Sequence, residues 1–201
     1  MPLDAYKNKP NEIQDYIEDL LSSESFRNMV HAGAEIPNYI LPFPVKQSNT
    51  YAQMALNVVK RLGQNGIVIK NINLYDEMLF LIGDDDLQYY LESDDITKQE
   101  MFEDFSNILD LNNKLTPYIT DIINYSDAEI IMLTGVGEVY PFIRVHSLLE
   151  ALPTRLKRNR PIVVFYPGAY DRRSGNSCFR LFDKLAPVNY YRAFNIFTEV
   201  K

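Results

Sequence analysis

Apolar residues along this chain fall into two kinds of run. Four are short and nearly unbroken: Tyr39-Ile40-Leu41-Pro42-Phe43, Ile67-Val68-Ile69 with Ile72, Ile130-Ile131-Met132-Leu133, and Ile162-Val163-Val164-Phe165-Tyr166. Runs of that length read as strands buried on both faces. Between them, apolar residues recur three and four apart, as amphipathic helices require. One set is Ile13, Tyr16, Ile17, Leu20 and Leu21, with Asn11 as its expected cap. A second is Met54, Ala55, Val58, Val59 and Leu62, capped by Ser48 or Asn49 and closed at Gly63 by a Gln64-Asn65-Gly66 turn. A third starts at Asn73, carries Leu74, Met78, Leu79, Leu81 and Ile82, and frays into Asp84-Asp85-Asp86. A fourth runs from Val139 to Leu152. Residues 87–126 are helical and acidic, with an interruption at Pro117.

Strands alternating with helices predict a single α/β domain spanning 1–201. Its sheet should be mostly parallel and covered by helices on both faces, with the acidic helical segment inserted in the middle. Pro42 lacks an N–H, which makes the first strand an edge or places Pro42 at its end. The tail, 177–200, alternates apolar and basic residues and predicts one or two further strands.

Open α/β sheets place their sites at the carboxyl ends of the strands. Two turns fall there, Thr134-Gly135-Val136-Gly137-Glu138 and Pro167-Gly168. Neither carries an acid–base pair, a metal cluster or a nucleophile with an evident partner. A phosphate loop needs Lys and Ser/Thr after its last glycine, and none follows Gly137. A dinucleotide loop needs a third glycine where Tyr140 stands. The first strand–helix turn, residues 42–50, contains no glycine, and Lys46 with Thr50 is only a faint trace of a phosphate loop. Gly135-x-Gly137 therefore reads as a tight turn using positive φ. Glu138 reads as a cap on the helix expected after it. Arg144 and His146 are two apart and face different directions. His31 and His146 are the only histidines, and both read as structural. Ser174, Ser177 and Cys178 share a polar loop without a base held by a third group, which nucleophilic catalysis requires.

Composition sharpens this picture in three ways. The chain has 201 residues, 46% of them hydrophobic, enough for one substantial core. Fourteen Tyr and no Trp supply rings with a polar tip, suited to half-buried surfaces and interfaces. The net charge of −7 argues against broad binding to nucleic acid or anionic membrane. That charge is uneven. Residues 151–201 hold ten Lys/Arg against three Asp/Glu, and the rest holds ten against twenty-four. The basic set is Arg155, Lys157, Arg158, Arg160, Arg172, Arg173, Arg180, Lys184 and Arg192, interleaved with Tyr166, Tyr170, Tyr190 and Tyr191. It suits an acidic protein face, or a solvated surface. Cys178 is the single cysteine, so no disulfide forms within the chain and no Cys-based zinc site exists. The acidic start Met1-Pro2-Leu3-Asp4 is unlike a signal peptide, and no apolar run nears the roughly 20 residues of a membrane span. A soluble cytoplasmic protein is expected.

The run Gly135-Val136-Gly137-Glu138-Val139-Tyr140-Pro141-Phe142-Ile143-Arg144, followed by His146, resembles the BrxB family of BREX phage-defence systems. So do Phe165-Tyr166-Pro167-Gly168-x-Tyr170, Arg180-Leu181-Phe182 and Tyr190-Tyr191-Arg192-Ala193-Phe194. The resemblance implies a cytoplasmic component of an antiviral system whose methyltransferase, ATPase and phosphatase-like proteins are separate chains. It implies an adaptor without enzymatic activity or cofactor, docking the PglZ-type phosphatase-like protein and the BrxC-type ATPase. The alternative is an atypical nucleotide- or nucleic-acid-binding protein of the same system. The resemblance supplies no catalytic, cofactor-binding or metal residue. It marks Gly135, Gly137, Glu138, Tyr140, Arg144, His146, Pro167, Gly168, Arg180, Tyr191 and Arg192 as structural or interface positions, and Arg172 and Arg173 of the basic set join them as interface candidates.

Overall fold

Alternate residues of the central strands enter two different cores. In the computed structural model, Tyr39, Leu41 and Phe43 face one side of the sheet and Ile40 the other. Ile131, Leu133, Ile162, Val164 and Tyr166 join Ile40, whereas Ile130, Met132, Val163 and Phe165 join Tyr39. Both faces are therefore apolar, as the unbroken runs require. The structure describes residues 4–5, 7–29, 37–93, 95–173, 176–185, 188–189 and 193–198, with backbone alone for 171–173, 176–177, 179 and 188–189.

The elements in chain order are α1 (Pro10–Ser22), α2 (Glu24–Arg27), β1 (Asn38–Phe43), α3 (Ser48–Gln64), β2 (Ile69–Asn73), α4 (Leu74–Ile82), α5 (Asp84–Glu92), α6 (Lys98–Ile108), α7 (Thr116–Asn124), β3 (Ile130–Thr134), α8 (Val145–Ala151), β4 (Ile162–Arg173), β5 (Asn176–Leu181), β6 (Val188–Asn189) and β7 (Ala193–Asn195). Five strands lie in the order β2-β3-β4-β1-β7, all parallel. From β1 the chain crosses to the far edge at β2, then steps back through β3 to β4. Right-handed crossovers in opposite directions put their helices on opposite faces. Accordingly α1 and α3 pack on the Tyr39 side, and α4, α7 and α8 on the Ile40 side. The α/β class and the mostly parallel sheet agree with the sequence pattern.

Local chemistry shifts several expected boundaries. Helix α1 begins at Pro10, a residue suited to a first helical position, and Glu12 accepts the Lys9 N–H at 3.3 Å, so Asn11 lies inside the helix. Helix α3 begins at Ser48 behind a short 3-10 turn, and Ser48 Oγ donates to Val45 O at 2.7 Å instead of capping. At its other end α3 runs through Gly63 to Gln64. There the N–H of Ile67 bonds Leu62 O and that of Gly66 bonds Gly63 O, the two bonds of a Schellman motif. Asn73 caps α4 through its side chain, as expected. Asp84-Asp85-Asp86 do not fray a helix. They form the first turn of α5, where carboxylates suit the helix dipole. Pro117 breaks no helix: it lies in the first turn of α7, which starts at Thr116.

β1 lies in the middle of the sheet, and Pro42 is tolerated because β7 pairs only 38–40. Ile40 O accepts the N–H of Ile196, so the missing N–H of Pro42 faces the same side, beyond the end of β7. The expected turn at Pro167-Gly168 is absent. β4 continues through it to Arg173, leaves the parallel sheet and pairs antiparallel with β5, which pairs with β6. The tail supplies three strands where one or two were expected. Tyr170 Oη donates to Ala193 O at 2.7 Å and Tyr16 Oη to Ile196 O at 2.8 Å, fastening the end strand from two sides.

Candidate functional site

The strand order creates one topological switch point. The connection after β1 goes by α3 to one face and that after β3 goes by α8 to the other, so the carboxyl ends of these strands, with β4 between them, flank a crevice. Phe43, Ser48, Thr134, Gly135, Glu138 and Pro167 line it. Its interior measures about 30 Å³, room for one or two waters. A nucleotide site takes on the order of 300 Å³ or more.

The local sequence closes it. Phe43 stacks on Tyr51, ring centroids 4.4 Å apart and planes nearly parallel, beside the glycine-free turn after β1. From the other side the Gly135–Gly137 turn leans in, held by two close approaches. Gly135 has φ +72°, and a Cβ on it would run into Asn73 Oδ1 and lie 2.9 Å from the N–H nitrogen of Tyr75. A Cβ on Gly137 would lie 3.0 Å from Pro167 Cγ and 3.1 Å from Phe182 Cε1. Gly168 has φ +140°, and a Cβ there would meet Arg180 O and lie 2.9 Å from Phe182 N. The three glycines thus pack one loop between the α4 cap and the base of the β4–β5 hairpin. Tyr140 joins this junction edge-on to Phe182, at 6.1 Å.

No helix follows this turn directly. Residues 136–142 are turns and α8 starts only at Val145, so the expected helix over 139–152 is shorter. Glu138 consequently caps nothing. It is exposed at the rim of the crevice, and the residue before α8 is Arg144, itself exposed. His146 is half-buried on α8; burial pushes its pKa down, Glu150 opposes this and Arg144 adds to it. Tyr166, buried under the hairpin, has its phenol pushed up, chiefly by burial. His31, Ser174, Tyr190, Tyr191 and Arg192 lie outside the described residues. Of Arg172, Arg173 and Ser177 only the backbone is described, in β4 and β5.

The basic set does not form one open face. Arg160 is 6% exposed and donates through Nη1 to Ile123 O at 2.8 Å, closing the end of α7. Arg155 Nη2 donates to Asn112 O, and the Lys157 N–H donates to Asn124 Oδ1. Of these, Arg160 places its charge at the carboxyl end of α7, where a cation is favoured, whereas Arg155 binds the turn before α7 and Lys157 bonds only through its backbone. Arg158 and Lys184 are exposed and Arg180 is half-buried.

Sequence reasoning missed Phe142, Phe182 and the hydroxyl of Tyr170, all of which act between segments distant in the chain. Among the described residues no three of His, Cys, Asp and Glu gather as a metal site would require, and no helix is long and apolar enough to cross a membrane.

These features define a parallel α/β protein whose sheet-edge crevice is packed by its own glycine turn. Comparison with known proteins then gives the family. The family described as BREX protein BrxB matches residues 70–196. A BREX protein BrxB of Bacillus cereus (strain H3081.97) is 31% identical over 195 residues, covering 92% of this chain and 96% of that protein. Another, of Escherichia coli O9:H4 (strain HS), is 34% identical over 83 residues, 41% of this chain and 39% of that protein. The chain belongs to the BrxB family and is a component of the BREX antiviral defence system. No solved structure matches it.

Proposed function

We propose that this chain is a non-catalytic adaptor of a BREX complex, docking the phosphatase-like and ATPase components in the cytoplasm. The observation that carries the reading is the filled switch point. In an open α/β sheet that crevice is where a substrate or nucleotide would bind. Here Gly135, Gly137 and Gly168 lend their lack of side chains to packing between segments, leaving about 30 Å³. The arrangement around it is that of a closely packed junction. It joins the α4 cap, the hairpin and the loop preceding α8, and such a junction suits holding surfaces in fixed relation.

The test is co-purification of the tagged chain, expressed with the other components of its BREX system, followed by size-exclusion chromatography. Co-elution with the phosphatase-like or ATPase component is the expected result. Elution alone across a range of salt overturns the adaptor reading. A rise in melting temperature with nucleotide, by the mass-action amount, would favour the nucleotide-binding alternative.

A further inference from the structure

Residues 74–110 carry twelve Asp and Glu against a single base, Lys98. Among the described residues none of these carboxylates forms a salt bridge. The same segment exposes large apolar side chains. Leu91 is 86% exposed, Phe80 69% and Tyr89 58%, and α5 buries no residue at all. A single exposed apolar side chain needs no explanation. A helix with no buried residue, presenting apolar groups among uncompensated carboxylates, is a different situation. Apart from the ring contacts of Phe80 with Tyr118 and of Tyr89 with Tyr90, the fold leaves these side chains largely uncovered.

The rings are ordered, not scattered. Tyr89 meets Tyr90 at 5.4 Å, Tyr90 meets Phe105 at 5.0 Å, Phe105 meets Phe142 at 5.4 Å, and Phe142 meets Phe102 at 5.4 Å. This ladder runs from α5 across α6 into the loop that closes the crevice. A carboxylate is tied into it: Tyr90 Oη donates to Asp104 Oδ2 at 2.6 Å. Ring faces beside carboxylates are what an arginine uses, because guanidinium stacks flat on a ring while its N–H groups pair with an acid.

Resting on the adaptor reading, we infer that the α4–α6 surface is the docking face of this chain, and that its occupant is a basic protein surface presenting arginine among apolar residues. Charge decides between occupants. Nucleic acid is repelled by a segment this acidic. A polyamine or metal ion would leave Phe80, Tyr89 and Leu91 uncovered. A second copy brings the same net charge of −7, which opposes association, and its Arg160 is buried on Ile123 O. A heterologous basic protein meets both demands.

The test uses the intact chain in the co-purification described above, with two variants whose changes lie on the surface. Phe80→Ser/Tyr89→Ser/Leu91→Ser removes the apolar side chains and keeps the charge. Asp84→Asn/Asp85→Asn/Asp86→Asn removes charge and keeps the rings. Unchanged circular dichroism confirms that each folds. Each variant should lower the co-purified partner about tenfold, and wild-type capture should fall about tenfold between low and high salt. Zero-length carboxyl–amine cross-links should join this segment to a partner face containing arginine. A partner held at wild-type levels by both variants overturns the inference while leaving the adaptor reading intact. A wild-type chain that captures nothing overturns both. Self-association of the wild type that the variants abolish, or a cross-linked partner face without arginine, also overturns it.

Discussion

Gly135 rests on the cap of α4 so closely that any side chain would displace Oδ1 of Asn73, the atom that accepts the N–H of Tyr75 at 3.1 Å. One residue therefore lacks a side chain so that another, 62 positions earlier, can start a helix. Gly135→Ala should cost about 3 kcal/mol, combining the left-handed backbone penalty with loss of the cap. Gly66 provides the comparison. Its φ is +82° but a Cβ there meets nothing within 4 Å, so Gly66→Ala should cost only about 1 kcal/mol. Urea unfolding of the two variants separates strain from collision. Equal losses would mean that Asn73 moves aside freely.

A second prediction concerns Tyr51. It is fully buried against Phe43, and among the described residues its hydroxyl finds no hydrogen-bond partner. Burial, with Asp4 adding to it, pushes the phenol up to about 12. Tyr51→Phe keeps the stacked ring and removes the orphaned group, so it should raise stability by about 1 kcal/mol. A loss of that size instead would reveal a bond that the hydroxyl makes in solution.

Arg160 separates a structural base from a surface one. Arg160→Met removes the donor to Ile123 O at the end of α7 and should cost about 2 kcal/mol. Arg158, two residues away and exposed, should change stability by less than about 0.5 kcal/mol when replaced by Ala. Both variants remove one charge from the same short loop. A difference in melting temperature therefore reports burial and bonding.

The sheet was legible because each of its inner strands is an unbroken apolar run and each crossover helix has its own periodicity. Asn73 was legible as a helix start because capping is local chemistry. The loop after Gly135 was not. Val139, Phe142 and Ile143 repeat with helical spacing, yet Val139 and Ile143 are buried around an irregular turn whose shape is set by Asn73, Pro167 and Phe182, far away in sequence. Pro167-Gly168 was misread for a related reason. A Pro-Gly pair usually ends a strand, but here β1 also ends at the paired position Phe43, so the missing N–H falls at the edge of the parallel ladder. Arg160 shows the limit for charge counting: composition registers a base, and only the fold reveals that it serves a helix end.

His146 gives the last prediction, and its sign follows from burial. Desolvation lowers its pKa below the ordinary 6.5, with Arg144 assisting and Glu150 opposing. The unfolded chain therefore binds a proton more readily than the folded one, and stability rises with pH while the two states differ in protonation. Acidifying from neutral pH through the imidazole range should destabilise the protein. The effect should level off below the lowered folded value, where both states carry the proton. Carboxylates held low by helix-cap bonds, Glu12 and Glu100, act in a separate window beneath their ordinary 4.5. Melting temperatures measured between about pH 7.5 and pH 5 thus isolate histidine. His146→Gln should flatten the curve there, and His31→Gln supplies the matched background. If His146→Gln leaves the slope unchanged, the half-buried ring is protonated at no cost to the fold, and Glu150 rather than burial governs it.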